Sequence, residues 1–146
     1  MARVCGSGGC GAVSIDPIKP ERLPDYLEDA IKRIDMAAKY LASASQEMQD
    51  RLCDEDDDAI EVNMLRDSLV RCIEVVGQCL HNAQIANSEF EQKHALNASG
   101  WWGMRSKISH GYDGVQYEIV LAVIKQDMPA LREKLTQALA AWSKSC

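Results

Sequence analysis

The chain has 146 residues, 47% of them hydrophobic and 26% charged, with a formal net charge of -6. These proportions describe an ordinary folded domain and exclude a disordered polyelectrolyte. The length suits one domain with a true core, and no apolar run approaches the roughly eighteen residues that a membrane helix requires.

The first residues lack the apolar core of a signal peptide, so the expected compartment is the cytoplasm. Reduced thiols are then expected for the six cysteines. Cys72 and Cys79 fall on an apolar helical pattern and read as small hydrophobes. Cys79 and His81 make the one close Cys/His pair, and two ligands do not close a zinc site, so no metal is expected. Excess acid disfavours a long phosphate footprint. The acid is concentrated, however: Glu47 to Glu61 holds eight acidic residues and one Arg, whereas Lys93 to Tyr112 holds none. That second stretch carries Lys93, Arg105 and Lys107, a local basic site suited to a small RNA contact.

Residues 1–20, with Gly clustered and Pro17 and Pro20 present, show no period and read as a flexible tail. The first helix should open near Pro24, with Asp25 and Glu28 at its positive end. Leu27, Ala30, Ile31, Ile34, Ala38 and Leu41 make its buried stripe, which runs out near Ser45. Asp54 to Asp58 reads as a solvated loop, a magnesium loop being the other reading, and Asp58-x-x-Glu61 as a capping box for a long helix. That helix buries Leu65, Leu69, Cys72, Val76, Leu80 and Ala83 and stops near Asn87. Glu74, one position off the stripe, reads as a partner for a basic group or as a catalytic acid.

Ser88-x-x-Glu91 is a second capping box, for a short helix. Ser99 can cap a helix containing Trp101 to Ser109, with Gly111 as its left-handed stop. Asp113-x-x-Gln116 is a third box, and Val115, Ile119, Val120, Val123 and Ile124 give the next helix a buried side. Pro129 bends or restarts the chain, and Met128, Leu131, Leu135, Ala138 and Trp142 form the last stripe. No segment of period two competes. The expectation is an all-α, antiparallel bundle of about four main helices and one or two short ones, spanning 21–142, with 143–146 a short tail.

The chemistry concentrates in Trp101 to Val115. Arg105 and His110 stand five apart, about 140° around an ideal helix, so they share a site only if His110 lies in a loosened last turn. On spacing alone, the better reading is an exposed Arg105 and a helix-ending His110 that favours the negative dipole end. The two tryptophans read as core packing or as base-stacking platforms. If the site is real, its logic is RNA cleavage by 2′-hydroxyl attack. His110 can move protons near neutral pH, Arg105 offers a permanently charged fork for phosphate, and Ser106 and Tyr112 supply hydroxyls.

These residues resemble a known family. Arg105-Ser106-Lys107-Ile108-Ser109-His110-Gly111-Tyr112, followed by Gly114-Val115, looks like the Arg-x4-His-x-Tyr signature of HEPN-domain toxins of the HepT type. Leu23-Pro24-Asp25-Tyr26-Leu27 resembles the opening of that family's first helix. Arg71-Cys72-Ile73-Glu74-Val75-Val76-Gly77-Gln78-Cys79 is similar to its long central helix, and Leu131 with its neighbours to the usual tail. The resemblance implies a helical ribonuclease that acts without metal or other cofactor, with Arg105 and His110 catalytic and Ser106 in support. It further implies a homodimer that brings two Arg/His pairs into one cleft. The implied partners are an RNA substrate and an MNT-type nucleotidyltransferase antitoxin that silences the toxin by attaching AMP to Tyr112; neither DNA nor a membrane is implied. The other reading is a non-catalytic HEPN module that binds the nucleotidyltransferase. Two positions depart from the pattern: Ser106 stands where Asn is common, and Gln78 where Glu is.

Overall fold

The computed structural model describes residues 17–110 and 115–145, and every regular element among them is helical. The four main helices are α1 (Leu23–Ala42), α3 (Ile60–Ala86), α5 (Ala98–His110) and α7 (Met128–Ser145). Short helices α2 (Gln46–Leu52), α4 (Ser88–Lys93) and α6 (Tyr117–Ala122) connect them. The chain is an antiparallel helical bundle built on α3, which packs along α1 on one side and α5 on the other; α7 closes on α1. None of the described helices is long and apolar enough to cross a membrane.

The α1 stripe is Leu23, Tyr26, Leu27, Ala30, Ile34, Ala37 and Leu41. Steps of three and four carry it through Ala37, so Ala38, expected inside, is exposed and Ile31 is only partly buried. In α3, Leu69, Cys72, Ile73, Val76, Leu80 and Ala83 have at most traces of exposure. Burial pushes the thiols of Cys72 and Cys79 up, Cys79 to about 11, so they act there as packing groups. From α6 into the turn that follows, the inward line is Val120, Val123 and Ile124; Ile119, expected on it, is 56% exposed. A wide turn with π-type bonding, Val123–Asp127, then leads into α7, with Pro129 in its first turn. This is the restart that Pro129 foretold: a residue without an N–H is tolerated where helical donors are unpaired anyway.

The acidic stretch corrects the expected capping. Helix α2 fills the stretch between the end of the first stripe and the Asp54–Asp58 loop, to which the sequence pattern assigns no element: Ser45 Oγ accepts from Met48 N at 3.1 Å, and Leu52 is buried. The Asp58–Glu61 box does not form, because the Asp58 carboxylate accepts from Asn63 Nδ2 instead. The organiser is Arg66, 8% exposed and unforeseen. Its Nε donates to Leu52 O (3.1 Å), and its two terminal nitrogens donate to Asp57 O (2.7 Å), Asn63 Oδ1 (2.9 Å), Arg51 O (3.1 Å) and Asp54 O (2.7 Å). All five guanidinium N–H groups are thereby used. Arg51 pairs with Asp57 at 2.6 Å and, with the Ala59 N–H, holds that carboxyl below its ordinary range. The loop is tied by arginines on both sides.

Candidate active site

Helix α5 carries the motif, and its start is fixed by an unexpected residue. Glu91 is 4% exposed. Its Oε2 accepts from Ala98 N at 3.0 Å and its Oε1 from Gln84 Nε2 at 3.5 Å. The carboxylate that reads as the far end of a local capping box is thus spent on the next helix, where its charge faces the positive dipole end. The α4 cap is Asn87, accepting from Phe90 N at 3.1 Å, rather than Ser88. Ser99, expected as the α5 cap, lies inside the helix and accepts from Gln84 instead. The intervening turn places Ala95 and Asn97 at φ 54° and 57°, left-handed values that end one helix and redirect the chain into the next.

Helix α5 then crosses α3 at close range over Gly77. A Cβ added at Gly77 would lie 2.9 Å from the Trp101 carbonyl oxygen and 3.2 Å from Arg105 Cβ. Only glycine lets the two backbones meet here, and the contact seats the base of the Arg105 side chain. One turn further along α3, His81 stacks on Trp102, with ring centroids 3.8 Å apart and planes at 16°. The Arg105 Cζ sits 4.7 Å from the centroid of the same Trp102 ring. Positions 77 and 81 share one face of α3, and 102 and 105 one face of α5, so the cluster follows from helical periodicity on both sides. Trp101 is core, 6% exposed; Trp102 is half-buried.

No carboxylate stands within ion-pair distance of Arg105 among the described residues. Glu74, the nearest acid along this face of α3 in sequence, instead lies 4.0 Å from Arg71. Ser106 Oγ donates to the Trp102 carbonyl, one turn back, at 3.3 Å. His110 is the last residue of α5, so the helix runs unbroken from Arg105 to His110 and keeps the two positions about 140° apart around its axis. The described side chains join Arg105 to Trp102, which stacks on His81; the His110 side chain lies outside the described residues. Gly111 to Gly114 lie outside the described residues, and with them Tyr112, the Gly111 stop and the Asp113 cap.

A larger cleft, about 860 Å³, lies elsewhere, lined by Asp54, Glu55, Asp56, Asn63, Arg66 and Tyr117 among others. Its acidic wall would repel phosphate, and the one arginine in it is already saturated by carbonyls. Beside the last turns of α5 lies a smaller, mostly apolar hollow of about 150 Å³, bounded by Met104, Lys107, Ile108 and Ile119.

With this geometry in view, comparison with known sequences is decisive. The Ribonuclease HepT-like family matches residues 27–138, which takes in most of α1, the Gly77 crossing, the whole of α5 and most of α7. The chain belongs to the HepT-like ribonuclease family. A protein of Thermococcus cleftensis named "Probable ribonuclease HepT" is 26% identical over 111 residues, 75% of this chain and 89% of that one. A protein of Caldanaerobacter subterraneus subsp. tengcongensis named "Putative RNase TTE0752" is 30% identical over 87 residues, 57% of this chain and 72% of that one. No solved structure matches the chain. Within the HepT-like frame, the residues that sequence reasoning missed are Gly77 as a seat, His81 as a stacking partner and Glu91 as the anchor of α5. Gly77 carried a signal through its place in the family-like run 71–79, and Glu91 one that pointed to the wrong helix.

Proposed function

We propose that this HepT-like chain is a metal-independent endoribonuclease, the toxin of a toxin–antitoxin pair, with Arg105 and His110 as its catalytic residues. The observation that carries the reading is the setting of Arg105. Its guanidinium is held on an aromatic ring rather than on a carboxylate, within a stretch free of Asp and Glu from Lys93 to Tyr112. An arginine held this way keeps its charge and its hydrogen-bonding fork for phosphate.

In the reaction, a base removes the proton of the ribose 2′-hydroxyl and the oxygen attacks the adjacent phosphorus. The 5′-oxygen leaves with a proton from an acid, giving a 2′,3′-cyclic phosphate and a 5′-hydroxyl. His110 serves as base or acid, Arg105 neutralises charge growing on the phosphoryl oxygens, and Ser106 supports with its hydroxyl. The 140° separation along α5 suits a homodimer, in which the two Arg/His pairs line one cleft and need not converge within one helix.

An MNT-type nucleotidyltransferase is the proposed antitoxin, adding AMP to Tyr112. A bulky anionic adduct two residues from His110 would exclude RNA by size and by charge. The purified protein is expected to cut single-stranded RNA in excess EDTA, and His110→Ala to abolish cutting. Equal cutting by the variant would remove His110 from the mechanism. A protein that binds the nucleotidyltransferase but never cuts RNA would be a non-catalytic binding module.

A further inference from the structure

We propose that Trp102, backed by His81, is a positioning residue that holds the Arg105 guanidinium ready for phosphate. The inference rests on the ribonuclease reading above and goes beyond it by assigning work to two residues outside the signature.

Three features support it. First, the ring contacts are ordered on both helices: His81 stacks nearly parallel on Trp102 at 3.8 Å, and Arg105 Cζ lies 4.7 Å from the Trp102 centroid. Indole is the best of the aromatic faces for a cation. Second, the root of Arg105 is placed independently, because α5 lies so close to α3 at Gly77 that a Cβ added there would stand only 3.2 Å from Arg105 Cβ. With Cβ seated on α3 and the guanidinium seated on the ring, a long and otherwise mobile side chain is held at both ends. Ordering it before RNA arrives removes that entropy cost from the binding and chemical steps. Third, the alternative way to hold an arginine is a carboxylate, which would compete with the phosphate for the same N–H groups. The ring orders the cation without neutralising it. Trp102 is itself steadied by His81 and by the Ser106 hydroxyl bonded to its carbonyl.

The test uses the full-length protein, a single-stranded RNA oligonucleotide, and the variants Trp102→Ala, Trp102→Phe and His81→Ala, with circular dichroism melts to confirm folding. Removing the ring is expected to lower kcat about five- to thirty-fold with little change in KM, with Trp102→Phe recovering most of the loss. His81→Ala should lower kcat by roughly two- to fivefold, reflecting looser support of the ring. Independently of activity, the Arg105 Nε–Hε NMR signal should carry a ring-current shift that Trp102→Ala abolishes and His81→Ala reduces. The NMR signal and His81→Ala also decide the matter if Trp102→Ala does not fold.

A Trp102→Ala enzyme with wild-type kcat overturns the proposal. So does a rise in KM alone, which would make Trp102 a base-stacking platform. An Arg105 signal without a ring-current shift overturns it as well. If wild type cuts RNA and His110→Ala does not, those results sink the positioning role and leave the ribonuclease reading standing. If folded wild type never cuts RNA, both fall.

Discussion

Gly77→Ala probes the crossing that seats Arg105. The added methyl would stand 2.9 Å from the Trp101 carbonyl oxygen, a backbone atom that cannot turn away, and 3.2 Å from Arg105 Cβ. Because the nearest atom belongs to the backbone, inserting a methyl here costs in the upper part of the overpacking range, about 2–3 kcal/mol, through helix displacement. Replacing glycine by alanine inside a helix returns up to about 1 kcal/mol. The net expectation is a loss of about 1–2 kcal/mol, and for a domain of this size each kcal/mol lowers Tm by roughly 3–5 °C. Gly103→Ala is the internal control: it lies in α5, and a Cβ there meets nothing within 4 Å. That variant should gain about 0.5–1 kcal/mol from helix propensity alone. Thermal melts followed at 222 nm read both. Because Arg105 is one of the two groups displaced, Gly77→Ala should also lose ribonuclease activity at temperatures where it remains folded. A Gly77→Ala protein that melts as high as wild type would refute the close crossing, and with it the account of how Arg105 is placed.

Arg66→Ala strands four backbone carbonyls that the guanidinium now bonds, so it is expected to cost about 3 kcal/mol in urea unfolding. Arg66→Lys should rescue little, since three rotating donors cannot match a planar fork; near-wild-type stability in either variant would contradict the knot. The bidentate Asp35–Arg132 pair ties α1 to α7, and the hydrogen bond from Arg132 holds the Asp35 carboxyl below its ordinary range. With the folded pKa depressed, the stabilisation is complete above the unfolded value of about 3.9 and disappears as pH falls through the folded one. The pair is well exposed, so Asp35→Asn should cost less than about 1 kcal/mol at neutral pH. Its gap from wild type should close in acid, and a gap undiminished there would assign the effect to packing instead.

Much of the bundle is legible because burial writes itself into sequence as steps of three and four. Leu27, Ala30, Ile34 and Leu41 on α1, and Leu69, Cys72, Val76, Leu80 and Ala83 on α3, are core for that reason. What escapes is whatever pairs a residue with a distant one. Arg66 is polar by type and buried in fact, because the carbonyls that satisfy it come from residues 9 to 15 positions away. Glu91 fits a local capping box and caps another helix, since the box pattern cannot say which N–H the carboxylate will reach. Helix α2 escapes because seven residues with one buried leucine make no stripe. In the site, Arg105 and His110 stand out by resemblance and not by spacing alone, whereas the His81–Trp102 stack joins residues 21 apart and has no local signature.

The most direct test of the central claim is the chemistry of the cut ends. RNA incubated with the purified protein in excess EDTA should yield fragments with a 2′,3′-cyclic phosphate and a 5′-hydroxyl by mass spectrometry, and Arg105→Ala and His110→Ala should yield none. Fragments with a 5′-phosphate and a free 3′-hydroxyl, or cutting that survives both substitutions, would contradict the account.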